Sequence, residues 1–253
     1  MNRFLLPVAT LWYRELVRFY RQRDRVLGTL ATPLLFWAVI GSGFSGSLSS
    51  SGSYLQYLYP GTIILSLLFT AIFSTISIIE DRREGFLQSV LVAPISRASM
   101  VLGKIMGATT IAVIQGTGFL VLAPLLKIPM SATSFALSIS ILLIIAFGLS
   151  NLGFLIAWRS TSTQGFHAIM NLFLMPMWLL SGAFFPESGV PGWIGGLIRL
   201  NPLTYGVRSL RETMLHNSGH SLLFSLVVCL CFALFSFAGA ALVAGRQSDK
   251  DLP

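Results

Sequence analysis

The chain has 253 residues, of which 54% are hydrophobic and only 10% charged, and its mean hydropathy is +0.77. Soluble domains carry roughly 25% charged residues, so this composition excludes a water-coated globule and points to a bilayer as the solvent. The formal net charge of +8 does not make a nucleic-acid binder, because the basic residues cluster beside apolar runs and not on a polar domain of their own.

In chain order, residues 1–25 read as an amphipathic helix. Leu5, Val8, Trp12, Leu16 and Phe19 recur at helical spacing and share a face, while Arg14, Arg18, Arg21 and Arg25 share another. An apolar stripe with aromatics beside a basic face settles at the lipid headgroup boundary. The alternative is a cytoplasmic extension of the first span with solvated arginines. Stretches without Asp, Glu, Lys or Arg then predict six spans, each needing about 20 apolar residues. They run over about Val26–Phe44, Tyr57–Ile79, from after Lys104 to near Leu126, Phe135–Trp158, Phe166–Phe185 and Leu222–Ala244. The first apolar run is too long for a signal-peptide core and lacks a small-residue exit site, so it is expected to stay as a span.

The connections differ in character. The link from Gly41 to Ser53 is rich in Gly and Ser, and Lys127–Pro129–Ser131 and Arg159–Ser162 are short turns. On alternate sides of six spans, thirteen Lys and Arg fall on one side (Arg3, Arg14, Arg18, Arg21, Arg23, Arg25, Arg82, Arg83, Arg97, Lys104, Arg159, Arg246 and Lys250). Four fall on the other: Lys127, Arg199, Arg208 and Arg211. The positive-inside rule places both termini in the cytoplasm.

Residues 80–98 are the most informative link. The segment EDRREGFLQSVLVAPISR opens with Glu80, Asp81, Arg82, Arg83 and Glu84, leads into Gly85, and continues with Phe86, Leu87, Val90 and Leu91 at helical spacing. Pro94 ends that short helix and Ser96 is placed to cap the next. Its apolar side chains need burial, either in the chain's own bundle or in a partner's groove. The outer link, residues 186–220, holds two further stripes. Trp193, Ile194, Leu197 and Ile198 form one; Val207, Leu210 and Met214 form the other, with Arg208, Arg211 and Glu212 on its polar side. Asn201–Pro202 breaks the chain between them. The pair reads as a re-entrant hairpin shielded by protein, or as one lying flat at the interface.

Some chemistry is missing from the pattern. His167 is the one ionisable group predicted inside a span, which argues against ion-coupled transport and voltage sensing. Gly103-Lys104 is followed by Ile105, so no phosphate-binding loop is formed. Ser181 and His167 lie about four turns apart on a helix rising about 1.5 Å per residue, too far for a nucleophile and its base. His216 and His220 share a helix face without a third metal ligand. Cys229 and Cys231 point in different directions and read as small buried hydrophobes. Pro176, inside the fifth span, is expected to kink it and offer a hinge, unless it serves packing alone.

Taken together, three segments resemble the membrane-spanning permease of type-2 ATP-binding-cassette exporters, near the drug-resistance and nodulation-factor branch. They are the acidic-Gly segment ending in Pro94-Ile95-Ser96-Arg97; LSGAFFP followed by Pro191-Gly192-Trp193-Ile194; and NPLTYGVRSLR from Asn201 to Arg211. The resemblance covers nearly the whole chain. It implies a single all-α permease domain with six transmembrane helices, an N-terminal interfacial helix (Trp12, Arg14, Arg18, Phe19) and an outer re-entrant lid (Trp193, Asn201, Pro202, Tyr205, Arg211). It also implies a coupling helix over Glu80–Ala93 that docks on a separate nucleotide-binding ATPase subunit. Phe86, Leu87, Val90 and Leu91 would bury in that partner, and Glu80 and Glu84 would meet its basic groups. Members often carry Gly-Thr and then Glu there; here Phe86 follows Gly85 and Gln88 takes the later acidic position. The implied protein hydrolyses no ATP itself and binds no cofactor, ATP and Mg sitting on the partner. It works in the bacterial inner membrane with a second permease copy or with a related chain, moving an amphipathic, lipid-linked or drug-like substrate outward. A self-sufficient channel or facilitator, and a non-transporting membrane assembly factor or enzyme, are the other readings of the residues.

Overall fold

The computed structural model describes residues 2–44, 54–93, 95–185, 190–215 and 221–246. Pro94, Pro186, His216, His220, Lys250 and most of the Gly/Ser link lie outside these residues, as do the side chains of Arg3, Leu91 and Arg246. All regular elements among the described residues are helical. They are α1 (Asn2–Arg21), α2 (Arg23–Gly43), α3 (Tyr54–Ser74), α4 (Ile76–Arg83), α5 (Phe86–Val92), α6 (Arg97–Leu122), α7 (Ala132–Arg159), α8 (Thr163–Trp178), α9 (Gly192–Leu200), α10 (Pro202–Leu215) and α11 (Leu222–Arg246). A 3-10 turn, Ala123–Leu126, extends α6, and a wide turn, Leu179–Ala183, extends α8.

Six of these are long and apolar enough to cross a membrane: α2, α3 with α4, α6 with its turn, α7, α8 with its turn, and α11. They coincide with the six predicted spans, because an uninterrupted apolar run long enough for the hydrocarbon core has no other stable environment. The third span begins earlier than its charge-free stretch. Helix α6 starts at Arg97, capped by the Ser96 hydroxyl on the Ser99 N–H at 3.1 Å, and Lys104 lies two turns inside it.

The axis of the bundle is α3, whose Ile63, Ile64, Leu65 and Leu67 are fully buried. Helices α2, α6, α7, α8 and α10 pack around it, and α11 closes against α7 and α10. Outward-facing residues of α2 and α11, among them Leu34, Leu35, Val39, Leu223, Leu234 and Phe235, are exposed, as a lipid-bathed surface allows. Small residues let helices approach closely where lipid offers no hydrophobic driving force. Helix α1 lies against α6 at Gly103 and Gly107, and a Cβ on Gly107 would come within 2.6 Å of the Glu15 Cβ. Cys229 is buried and Cys231 exposed.

Helix α10 dips into the bundle. Its Leu203, Val207, Leu210 and Met214 are buried, and a Cβ on Gly206 would come within 2.7 Å of Ile145 on α7. Helix α9 stays outside, with Trp193 and Leu200 exposed. The fifth span departs from expectation. Helix α8 continues through Pro176, and the backbone leaves helical angles only after it, at Leu180 (ψ 18°) and Gly182 (φ +70°).

Candidate functional site

The two ends of the bundle carry the chain's polar architecture. At one, called here the charged end, α1, α4, α5 and α6 meet. Asp81, fully buried at the end of α4, accepts hydrogen bonds from both terminal nitrogens of Arg14 at 2.7 and 3.0 Å, from Arg18 at 2.6 Å, and from the Lys104 ammonium. Lys104 also donates to the buried Glu15 at 2.8 Å. Glu80 receives Arg18 at 2.8 Å and Arg25 at 3.0 Å, and Glu84 approaches Arg18 at 3.6 Å. Four cations thus face four carboxylates without net charge. A carboxylate leaves water at a cost of several kcal/mol unless cations and hydrogen bonds replace its hydration, and Asp81 has both. Burial alone would lower the Arg14 pKa, but the hydrogen bond and charge of Asp81 outweigh it and raise the value, which holds the guanidinium charged.

This corrects the expected role of the N-terminal basic face, whose Arg14, Arg18 and Arg21 lie on α1 and whose Arg25 lies on α2. Arg14, Arg18 and Arg25 turn to protein carboxylates, not to lipid headgroups; Arg21 alone of the four is exposed. The apolar side seats Leu11 and Phe19 in the bundle, and the Trp12 indole donates to Thr110 of α6 at 3.0 Å. Leu5, predicted on that stripe, is exposed.

Arg82 ties the same corner to α7. It donates to the carbonyls of Trp158 at 2.6 Å and Ser160 at 3.1 Å, which lack helical partners at a helix C-terminus and attract a cation there. Gly85 then turns the chain with φ +75°, a left-handed conformation that costs other residues about 1–2 kcal/mol. The following α5 overturns part of the docking expectation. Leu87 is buried in its own bundle, Phe86 sits beneath the Arg14 guanidinium with 3.7 Å to the ring centroid, and Val90 packs against the core. These side chains face inward because α5 folds back on α4. Among the described side chains the free edge consists of Gln88, Ser89 and Val92, the last 87% exposed. Likewise Glu80, expected to meet a partner's basic groups, is occupied by Arg18 and Arg25.

At the opposite end, the break after α8 frees backbone carbonyls, and side chains from three elements satisfy them. Tyr57 donates to Gly182 O at 3.1 Å, Arg211 to the same oxygen at 3.0 Å, and Tyr54 to Phe184 O at 2.9 Å. The Asn201 amide donates to Met177 O at 2.5 Å, while its Oδ1 accepts the Leu203 N–H at 3.0 Å and caps α10. Pro202 occupies the first position of α10, where its missing N–H costs nothing. Tyr205 donates to Arg199 O at 2.9 Å and pins α9 to α10. Asn201, Tyr205 and Arg211 are therefore brought together around the break, and Trp193 stays at the surface. Between the two ends, the Gln115 amide donates to Thr29 at 3.1 Å and accepts from Thr70, joining α2, α6 and α3 inside the bundle.

The sequence pattern named neither Glu15 nor Lys104 as site residues, nor Tyr54, Tyr57 and Gly182. A signal existed for the first two: Glu15 is the only acid of α1, and Lys104 the only charge of α6 past its first residue. A lone acid among the arginines of α1 has basic partners at hand, and a single ionisable group on an apolar helix such as α6 implies a partner elsewhere.

The chain is similar to known proteins along most of its length. A protein named transport permease ycf38 from Cyanophora paradoxa is 25% identical over 85% of this chain and 76% of its own length. Nodulation protein J of Sinorhizobium fredii (strain NBRC 101917 / NGR234) is 26% identical over 84% of this chain and 82% of its own. Nodulation protein J of Neorhizobium galegae is 26% identical over 97% and 95%. The family model described as ABC-2 type transporter matches residues 7–215, a stretch that holds both polar ends just described. The chain belongs to the ABC-2 type transporter family of membrane permeases.

Proposed function

We propose that the chain is the permease subunit of an ATP-driven exporter, with ATP and Mg bound and hydrolysed on a separate nucleotide-binding subunit. That subunit docks at the charged end, which faces the cytoplasm of a bacterial inner membrane together with both termini. Two permease copies line the path of an amphipathic, lipid-linked or drug-like molecule. The observation that carries this reading is the elbow at Gly85: α5 presents Gln88, Ser89 and Val92 outward. Inward, its neighbour α4 is clamped to α1 and α6 through Asp81 and to α7 through Arg82. A push on α5 therefore reaches four helices through short, charged contacts. Beside it, an open groove of about 520 Å³ between α1 and Glu84, lined by Tyr13, Arg14, Val17, Arg18 and Arg21, offers the partner a second foothold.

Displacement of the elbow biases the bundle between states open to opposite sides, and the break at Leu179–Ala183 is where the far end yields. The inward placement of Leu87 decides how to test this, because Leu87→Ala would damage the fold and lose the partner for the wrong reason. Val92→Asp changes only the outward edge. We expect the tagged wild type, purified gently from its native membrane, to co-elute with an ATPase subunit at equal stoichiometry, and Val92→Asp to elute alone while keeping its melting temperature. Co-elution unaffected by Val92→Asp, or a wild type that moves substrate in vesicles without nucleotide, would overturn the reading; the latter outcome favours a self-sufficient facilitator.

A further inference from the structure

A second cavity lies beside the charged end, apart from the cluster around Asp81. At the charged end, α7, α8 and α11 enclose an open groove of about 670 Å³, within the roughly 300–1,000 Å³ of ligand pockets. It exists because α11 packs on α7 while α8 packs on α3 and α4, which leaves the space between them unfilled. Gly239 keeps it open: a Cβ there would meet only Leu155 side-chain carbons, at 3.5 and 3.7 Å. The walls are apolar, formed by Leu155, Ile156, Ile169 and Val243.

The mouth has the opposite character. Arg159 lines it and is exposed, with no hydrogen bond or ion pair to any described residue, beside Ser160, Thr161 and Ser162. Arg83, also exposed, reaches the Thr161 carbonyl at 3.5 Å. Among the described residues no carboxylate lines the groove. An apolar slot that ends in uncompensated positive charge, on the side of a bundle whose solvent is lipid, is complementary to one kind of molecule. We propose that this groove binds an anionic diacyl phospholipid of the surrounding bilayer, with its phosphate at Arg159 and an acyl chain along Gly239. A zwitterionic phospholipid fits the walls equally well and carries the same phosphate, but its ammonium group offsets much of the gain at the mouth, and a small soluble anion gains nothing from the walls. The proposal rests on the bilayer alone and is independent of what the protein transports.

The test is native mass spectrometry of the purified full chain in mild detergent, titrated with phosphatidylglycerol or with phosphatidylcholine of the same acyl chains. The wild type should retain phosphatidylglycerol about fivefold better, the effect of one cation near an anionic headgroup. Arg159→Gln should lose that preference, and Arg159→Lys should keep most of it. Gly239→Leu, which fills the slot, should retain both lipids less. Arg159 is exposed, so the Arg159→Gln variant folds as the wild type does and carries the test even where Gly239→Leu is unstable. Equal retention of the two lipids by the wild type, an unchanged preference in Arg159→Gln, or loss of the lipid on pairing with a second copy of the chain would each overturn the proposal.

Discussion

The charged elbow and the opened span solve one problem in two ways. Each is a helix interrupted at a glycine with positive φ, Gly85 in one and Gly182 in the other, and each needs side chains to hold the interruption in place. At the elbow the holding contacts are ionic and buried, converging on Asp81 from α1 and α6. At the opened span they are single hydrogen bonds from Tyr54, Tyr57, Asn201 and Arg211 onto carbonyls. The difference matters for motion. A buried ion-pair cluster loses several kcal/mol when one member leaves, because the others stay charged and unpaired. A hydrogen bond to a carbonyl is worth about 0.5–1.5 kcal/mol net, and such bonds can be exchanged one at a time. The contacts at the elbow therefore resist separation more strongly than those at the opened span.

Substitutions can break or sharpen that contrast, and the largest effect belongs to the elbow. Asp81→Ala leaves Arg14, Arg18 and Lys104 without their shared acceptor and should destabilise the protein by about 3–5 kcal/mol, read as lost monodisperse yield and a lowered melting temperature in detergent. A variant that melts like the wild type would show that the cluster is solvated and carries no load. Next comes Gly61→Ala on α3, where the added Cβ would lie 2.5 Å from that of Ala183. It should cost about 1–3 kcal/mol by overpacking, and a smaller cost would mean that the opened span yields even in its resting form. Tyr57→Phe removes one of two donors to Gly182 O and should cost about 0.5–1.5 kcal/mol; a loss as large as that of Asp81→Ala would erase the distinction between the two ends. The smallest change is expected for Val92→Ser, within about 0.5 kcal/mol, since the side chain touches little of its own bundle. A lowered melting temperature there would mean that α5 has no free edge.

The legibility of these regions from sequence differed for a physical reason. Span positions follow from the run length of apolar residues, a local property, and six stretches predicted from charge gaps became six membrane-length helices. The cap at Ser96 and the break at Asn201-Pro202 are also local, each resting on the backbone preference of one or two residues. Direction was harder. Phe86, Leu87 and Val90 share a face by their spacing, but spacing cannot say whether that face meets the same chain or another. The N-terminal segment shows the same limit: four arginines at helical spacing look alike for headgroups and for carboxylates, and only the approach of α4 decides between them. Pro176 carries the strongest local signal for a bend, yet α8 continues through it and opens at Leu180 and Gly182. There, Tyr57 and Arg211, far away in sequence, supply the donors for the freed carbonyl.

By itself, then, the amino-acid sequence determined the solvent, the number of spans and the segments that interrupt them, because hydrophobic run length and backbone conformation are properties of neighbouring residues. Which charges pair, which face of α5 stays free and where the fifth span opens were decided only by the tertiary structure. A buried charge or an orphaned carbonyl takes whichever partner the packing brings within about 3 Å, and Asp81 with Lys104, or Gly182 with Arg211, meet only once the bundle has closed.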